Sequence, residues 1–131
     1  MAYEIRYQLN ERPTPRTDGS GCVDHTIWAD YREEGTQDPW ASIPGKSRVI
    51  SVPAADIETA LATGTNAQKG AAYKSALVAN FDTDPVPITS WSLAQLEAQL
   101  EANDTARAAA DSIHEFITAD LGQSYPVRFT V

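Results

Sequence analysis

The fold is decided by residues 92–121, which read SLAQLEAQLEANDTARAAADSIHEFITADL. Apolar residues recur there at steps of three and four, the spacing that gives an α-helix one apolar face. The residues of this stripe are Leu93, Leu96, Leu100, Ala106, Ala110, Ile113, Phe116, Ile117 and Leu121. We therefore predict one long helix over about 92–121, with this face buried.

Both ends of the predicted helix carry local signals. Ser92 is a natural N-cap, since its hydroxyl can accept the amide of Gln95 while the Gln95 side chain reaches back to the Ser92 amide. Trp91 and Leu96 have the spacing of a hydrophobic staple. Gly122 can adopt the left-handed conformation that ends a helix.

The middle of this helix is rich in alanine, notably at 102, 106 and 108–110. Small side chains allow a neighbouring element to approach closely. Asn103 and Asp104 compete for backbone hydrogen bonds, so a break at this point is the alternative to one continuous helix.

Alternating apolar and polar residues predict strands at both ends of the chain and between them. The predicted strands are residues 3–9, 23–31, 48–52 and 125–131. The matched alternation of the two terminal segments suggests that they share one sheet as neighbours. Pro126 lacks an amide donor, which favours an edge position or a strand start for the last segment.

Two shorter helices are predicted between the third and last strands. One runs from Pro53 to Ala62, and a second, capped by Thr65 or Asn66, runs to about Asn80. The predicted fold is α+β: about four strands in a mostly antiparallel or mixed sheet, packed by three helices with the C-terminal one dominant. The 131 residues are expected to form a single domain, 1–131.

Residues 10–22 and 32–47 are rich in proline and glycine and are predicted to be long loops, the first of them a loop or mobile arm. Trp40 lies in the second loop, where it either anchors a partner or folds back over the core. Trp28 lies among polar neighbours on its strand and either covers a second packing layer or meets a partner. Trp28 and Trp40 are the candidate partner-contact residues.

The charge of the chain favours some partners over others. The formal net charge is −8, and residues 49–131 hold four Lys or Arg against ten Asp or Glu. Because phosphate binding needs a cationic patch, nucleic acid is not expected as a partner. No segment has the apolar length of a signal peptide or a membrane span, so the protein is expected in the cytoplasm on synthesis, with no membrane partner. The single cysteine, Cys22, excludes an internal disulfide.

Motifs for phosphate or metal binding are incomplete. Residues 44–47, Pro-Gly-Lys-Ser, resemble the end of a P-loop, but the required first glycine is replaced by Trp40 and a strand follows. Cys22 and His25 have a metal-like spacing, yet the only other histidine, His114, is distant in sequence. Asp82 and Asp84 lack the rest of a calcium loop. No metal or cofactor is predicted.

Motifs for catalysis are equally sparse. Cys22 and His25, three residues apart on a strand, point to opposite faces, so they do not form a nucleophile and base. Position 118 is threonine, so His114 and Glu115 do not begin a zinc-protease helix. A glycosidase pair among the eighteen acids remains open, because their separations are invisible in sequence. No catalytic residue and no small-molecule substrate is predicted.

Three functional hypotheses follow. The first is a non-catalytic structural or assembly subunit that binds other protein subunits or itself as a homo-oligomer. Small bacteriophage virion proteins of head completion, head-tail connection or tail are the analogous class, and the virion would then be a second location. The second is an acidic binding or inhibitory module for a basic protein partner. The third is an enzyme of unrecognised type.

Overall fold

The computed structural model describes residues 2–62 and 64–130, with the side chains of 44–47 and 129–130 outside that description. The elements within these ranges are five strands, three α-helices and one π-helical turn. They are β1 (Tyr3–Leu9), β2 (Thr14–Pro15), β3 (Cys22–Glu33), β4 (Ala41–Pro53), α1 (Ala54–Leu61), α2 (Asn66–Ala79), α3 (Leu93–Glu115), the π-helical turn (Phe116–Asp120) and β5 (Val127–Thr130). The α+β prediction is confirmed.

The five strands form one sheet around β3. β1 pairs with residues 27–33 of β3, and β2 continues that line at residues 23–24. β4 pairs with residues 22–31 of β3, the same part of β3 that pairs with β1 and β2. β4 therefore lies along the other side of β3, where it is an edge strand. Every pairing in the described sheet is antiparallel. Of the two predicted arrangements, mostly antiparallel or mixed, the described strands have the antiparallel one.

The two terminal strands are neighbours, as the matched alternation predicts. β5 pairs with β1 so that Leu9 lies opposite Val127 and Arg6 lies opposite Thr130. β5 pairs only with β1 among the described strands, and Pro126 directly precedes it, so the missing amide of the proline falls outside the ladder.

The second predicted loop, 32–47, is wrong for most of its length. β3 extends to Glu33 and β4 begins at Ala41, which leaves a turn and a short connection at 34–40. The β3–β4 register shifts between Trp28 and Asp30, and the pairing resumes beyond that bulge. Pairing with a long neighbour therefore outweighs the local proline and glycine signals.

The first predicted loop, 10–22, is fixed onto the molecule. It contains β2, and Pro13 is fully buried. Arg12 forms an exposed ion pair of 2.8 Å with Asp111 of α3. The Thr17 carbonyl oxygen accepts hydrogen bonds from side chains of α3. The loop is therefore packed against α3, through contacts that a glycine- and proline-rich sequence does not reveal.

The hydrophobic core lies between one face of the sheet and the helices. The buried residues of this core are Leu9, Val23, Ile27, Ile50, Val52, Ala54, Ile57, Ala60, Tyr73, Leu77, Ala106, Ala109, Ala110, Ile113, Phe116, Ile117 and Val127. Ala106, Ala109 and Ala110 of α3 are at most 1% exposed, whereas Ala102 is half-buried and Ala108 is exposed. α1 contacts α3. The close approach inferred from the alanine-rich middle is present.

α3 is continuous through Asn103 and Asp104. Asn103 directs its side chain to the Thr17 carbonyl and the Gly19 amide, at 3.3 and 3.1 Å, so it does not compete for its own helix backbone. The helix departs from regular α geometry later, in the π-helical turn Phe116–Asp120. There the amide of Leu121 donates to the Phe116 carbonyl, five residues earlier, at 2.9 Å.

The start of α3 matches the predicted cap only in part. The Gln95 amide donates to the Ser92 hydroxyl at 3.2 Å, while the Ser92 amide lies 3.5 Å from the Ser90 hydroxyl and turns toward that acceptor. Trp91 is 85% exposed, so the predicted staple does not bury it. The reciprocal capping box occurs instead on α2, between Thr65 and Gln68.

Candidate protein-binding surface

The predicted burial of the whole α3 stripe is wrong for its first half. The most exposed large apolar side chains in the described part of the chain are Leu93 and Leu100 of this half, at 73% and 65%, and Val86 and Trp91 of the preceding linker, at 81% and 85%. We call these four residues, with the half-buried Leu96 and the acids Glu97, Glu101 and Asp104, the acidic helical surface. Soluble proteins seldom expose apolar side chains in a group unless something binds there.

The other side of this half-helix explains why the leucines face outward. Gln99 donates to the Thr17 carbonyl at 3.1 Å, and Asn103 donates to the same oxygen. Ala102 lies over Gly21, in ordinary van der Waals range of that position. At 100° per residue, Leu93 and Leu100 are displaced from this contacting side by about a third of a turn, so loop 10–21 does not cover them.

Charge is also concentrated in this region. Between Ser75 and Ala106 the chain has five acids, Asp82, Asp84, Glu97, Glu101 and Asp104, and no lysine or arginine. Asp82 pairs with Arg48 at 3.3 Å and Asp104 pairs with Arg107 at 2.9 Å, both exposed. Glu97 and Glu101 form no ion pair with any described residue. Within the described residues, the charges of these two carboxylates are not compensated.

The linker before α3, residues 80–92, is hydrogen-bonded to the loop of residues 10–21. The Ile88 amide donates to the Asp18 carbonyl at 2.9 Å, and Ile88 packs against Gly19, whose φ is +80°. The Asp18 carboxylate accepts from Arg16 at 2.6 Å, and this hydrogen bond lowers the pKa of Asp18 far below its usual value. These contacts hold the backbone of the linker in place between Val86 and Trp91.

Trp40, a predicted partner-contact residue, folds back onto its own sheet. Its ring lies under two guanidinium groups, 4.6 Å from that of Arg6 and 4.3 Å from that of Arg32. Arg6 is paired with Asp30 at 3.0 Å and Arg32 with Glu4 at 2.7 Å. Trp40 thus covers these ion pairs on the face of the sheet opposite the helices, which we call the helix-free face. It does not pack in the hydrophobic core.

Trp28, the other predicted contact residue, lies on the same helix-free face of the sheet. It is 47% exposed, and Val49 on the neighbouring strand is 55% exposed. The second packing layer that would cover Trp28 is not formed by a described helix, since α1, α2 and α3 contribute to the core on the opposite face. Trp28 remains a candidate contact, in a second and smaller apolar area.

The candidates for metal binding or nucleophilic catalysis are separated. His25 is fully buried on the helix side of β3, with Nδ1 3.0 Å from the Val23 carbonyl and 3.3 Å from that of Ile50. Cys22 faces the other way, with Sγ 3.7 Å from the Ser20 carbonyl. His114 contacts the Tyr125 hydroxyl instead, at 3.1 Å. Among the described residues, no group of three or more His, Cys, Asp or Glu side chains is placed to hold a metal ion.

The pKa values of these buried groups follow from desolvation. Burial lowers the pKa of His25 to about 4, so the imidazole is neutral at physiological pH. Burial likewise raises the pKa of the Cys22 thiol, which leaves it protonated and weakly nucleophilic. Both groups are therefore suited to packing within the fold.

Arg16 lines an open polar depression of about 300 Å³ with Asp18, Asp24, Pro15 and Thr17. Its guanidinium pairs with Asp18 and also with Asp24, which lies 3.4 Å away. Two carboxylates around one guanidinium leave no positive charge for an anionic ligand. The residues 44–47 that resemble a P-loop lie within β4, and their side chains are outside the described part.

The acidic helical surface was not predicted from the sequence. The periodicity placed Leu93, Leu96 and Leu100 in the buried stripe, and it gave no indication for Val86. One signal was present in the sequence: leucines mark the first half of the stripe, whereas alanine and isoleucine mark the half that packs closely. The change in side-chain size indicates a change in what the helix faces.

Comparison with known proteins found no family model, no curated protein and no solved structure that matches this chain. Among the helices of the described residues, none combines the length and the apolar character needed to cross a bilayer.

Proposed function

We propose that this protein is a non-catalytic assembly subunit that binds another protein through the acidic helical surface. The observation that carries the proposal is the grouping of the four most exposed large apolar side chains, Val86, Trp91, Leu93 and Leu100, within one short stretch. Burial of such side chains against a partner contributes roughly 1.5 to 3 kcal/mol each when complete.

The surface also has the composition of a binding site. Tryptophan is enriched among residues that dominate interface energies, and Trp91 is 85% exposed beside the N-terminus of α3. The surface sits on a helix whose other side is fixed to loop 10–21 by Gln99 and Asn103. A rigid, pre-formed surface loses little entropy on binding.

A bacteriophage virion component, in head completion, head-tail connection or tail, is the specific form of this proposal. Its support is the general likeness of a small, acidic α+β chain with an uncovered helix to subunits that function only in a larger particle. In that case the partner is a neighbouring virion subunit.

Site-specific photo-crosslinking tests the proposal. A photoreactive amino acid is placed at Leu93 in cells or particles that produce the protein, and at Val78 as a matched control, since Val78 is an exposed apolar residue of a different helix, α2. We expect a discrete crosslinked protein adduct from position 93 and a much weaker one from position 78. A chain that gives no adduct at position 93 and sediments as a monomer under all conditions contradicts the proposal.

A further inference from the structure

We infer that the partner of the acidic helical surface is a cationic amphipathic helix of another protein. This inference rests on the proposed function and names the chemistry of its partner. The surface offers a short apolar stripe flanked on one side by unpaired carboxylates, and a partner must match both features.

The stripe has the geometry of a helix-binding ridge. Leu93, Leu96 and Leu100 follow one another at steps of three and four, over about two helical turns. Residues with this spacing fit between the side chains of a second helix that crosses at a shallow angle. A partner helix with its own apolar residues at the same spacing packs against these leucines. Trp91 and Val86 extend the apolar contact beyond the N-terminus of α3.

The charge beside the stripe selects a basic partner. Glu97 and Glu101 lie next to the leucines on the helix surface and form no ion pair with described residues. No lysine or arginine occurs from Ser75 to Ala106, and the arginines that pair with acids of this stretch, Arg48 and Arg107, contact Asp82 and Asp104. Lysine or arginine beside the apolar residues of the partner supplies the missing counter-charge.

The same charges disfavour a second copy of this chain as the occupant. Pairing two acidic helical surfaces places Glu97 and Glu101 of one copy beside those of the other. Like charges across a contact are destabilising and suppress association. The first basic residue after the stripe, Arg107, already pairs with Asp104 of its own helix at 2.9 Å.

Peptide binding tests the inference directly. The probe is a fluorescent peptide of about three heptads with leucine at the a and d positions and lysine at the others. One control peptide carries glutamate in place of lysine, and another has the same composition in an order that destroys the heptads. We expect the heptad lysine peptide to bind, with an affinity that falls as NaCl is raised from about 0.05 M to about 0.5 M.

Variants of the protein assign the binding to this surface. We expect Leu93→Ser with Leu100→Ser to weaken affinity by about tenfold or more, since burial of one leucine corresponds to roughly a tenfold step. Glu97→Gln with Glu101→Gln should weaken binding and flatten its salt dependence. Val78→Ser, at an exposed apolar position of α2, is the matched control and should leave both unchanged.

Several results overturn the inference. Equal binding of the glutamate peptide, equal binding of the scrambled peptide, or indifference to the leucine substitutions each contradicts it. A crosslink from position 93 to a second copy, or to a segment without lysine and arginine, also contradicts it while leaving the assembly function intact. Absence of any crosslink from position 93, together with sedimentation as a monomer under all conditions, contradicts the assembly function itself, so the two failures are distinguishable.

Discussion

At the residue scale, His25 shows how a polar side chain is accommodated in an apolar core. Its ring is fully buried beside Tyr73, with ring centroids 5.7 Å apart, and its Nδ1 faces two backbone carbonyls. Nε2 has no hydrogen-bond partner among the described atoms. The neutral ring fits here, whereas a protonated ring would leave a positive charge without solvent.

We expect the stability of the protein to fall on mild acidification because of His25. The unfolded imidazole gains its proton near pH 6.5, but the folded one does so only near pH 4, so the unfolded state binds more protons between these values. The free energy of unfolding should therefore drop by about 2 to 3 kcal/mol between roughly pH 7.5 and pH 4.5.

Urea unfolding across this pH range measures the effect. The variant His25→Gln should show a much flatter pH profile, while His114→Gln, which changes the other histidine, should keep the profile of the unmodified protein. Asp18 does not confound the window, since the stability from its lowered pKa is lost only as pH falls below the ordinary carboxyl pKa of 3.8. Identical profiles for the unmodified protein and His25→Gln would rule out this account.

At the element scale, α3 has two halves with different surroundings. From Ala106 onward its apolar stripe is buried against the sheet and α1, whereas Leu93 and Leu100 on the same predicted stripe are mostly exposed. Periodicity identifies the apolar face of a helix but not the element that covers it. The existence, start and length of α3 were therefore predictable, but the exposure of its first half was not.

We expect substitutions in the two halves of α3 to differ sharply in their effect on stability. Leu100→Ser should change the free energy of unfolding by less than about 0.5 kcal/mol, because the side chain is already in water. Ile113→Ala should cost about 2 to 4 kcal/mol, since it leaves a cavity at a fully buried position. Chemical unfolding of both variants provides the comparison, and equal costs would show that the first half is covered.

At the scale of the whole molecule, β3 is the organising strand. It is paired with β1 and β2 on one side and with β4 on the other. Residues 23–31 were predictable as a strand from their alternation. The extension to Glu33 and the length of β4 were not, because Pro44 and Gly45, inside β4, give loop signals that long-range pairing overrides.

We expect hydrogen exchange to follow this organisation. Backbone amides in the middle of β3 should exchange most slowly, because their release requires loss of pairing on both sides and of the core beneath. Amides near the N-terminus of α3 should exchange faster than those from Ala106 to Ile113, and they should become protected when a partner helix binds. Exchange measured by mass spectrometry on the free and peptide-bound protein tests both statements; uniform protection along α3 in the free protein would contradict them.

The adjacency of β1 and β5 has one more consequence. Arg6 lies opposite Thr130, so this pairing joins residues 124 positions apart in the sequence (130 − 6). Bringing such distant segments together closes a long loop, which costs chain entropy and slows folding. We therefore expect the β1–β5 ladder to form late, after β3 has paired with its neighbours.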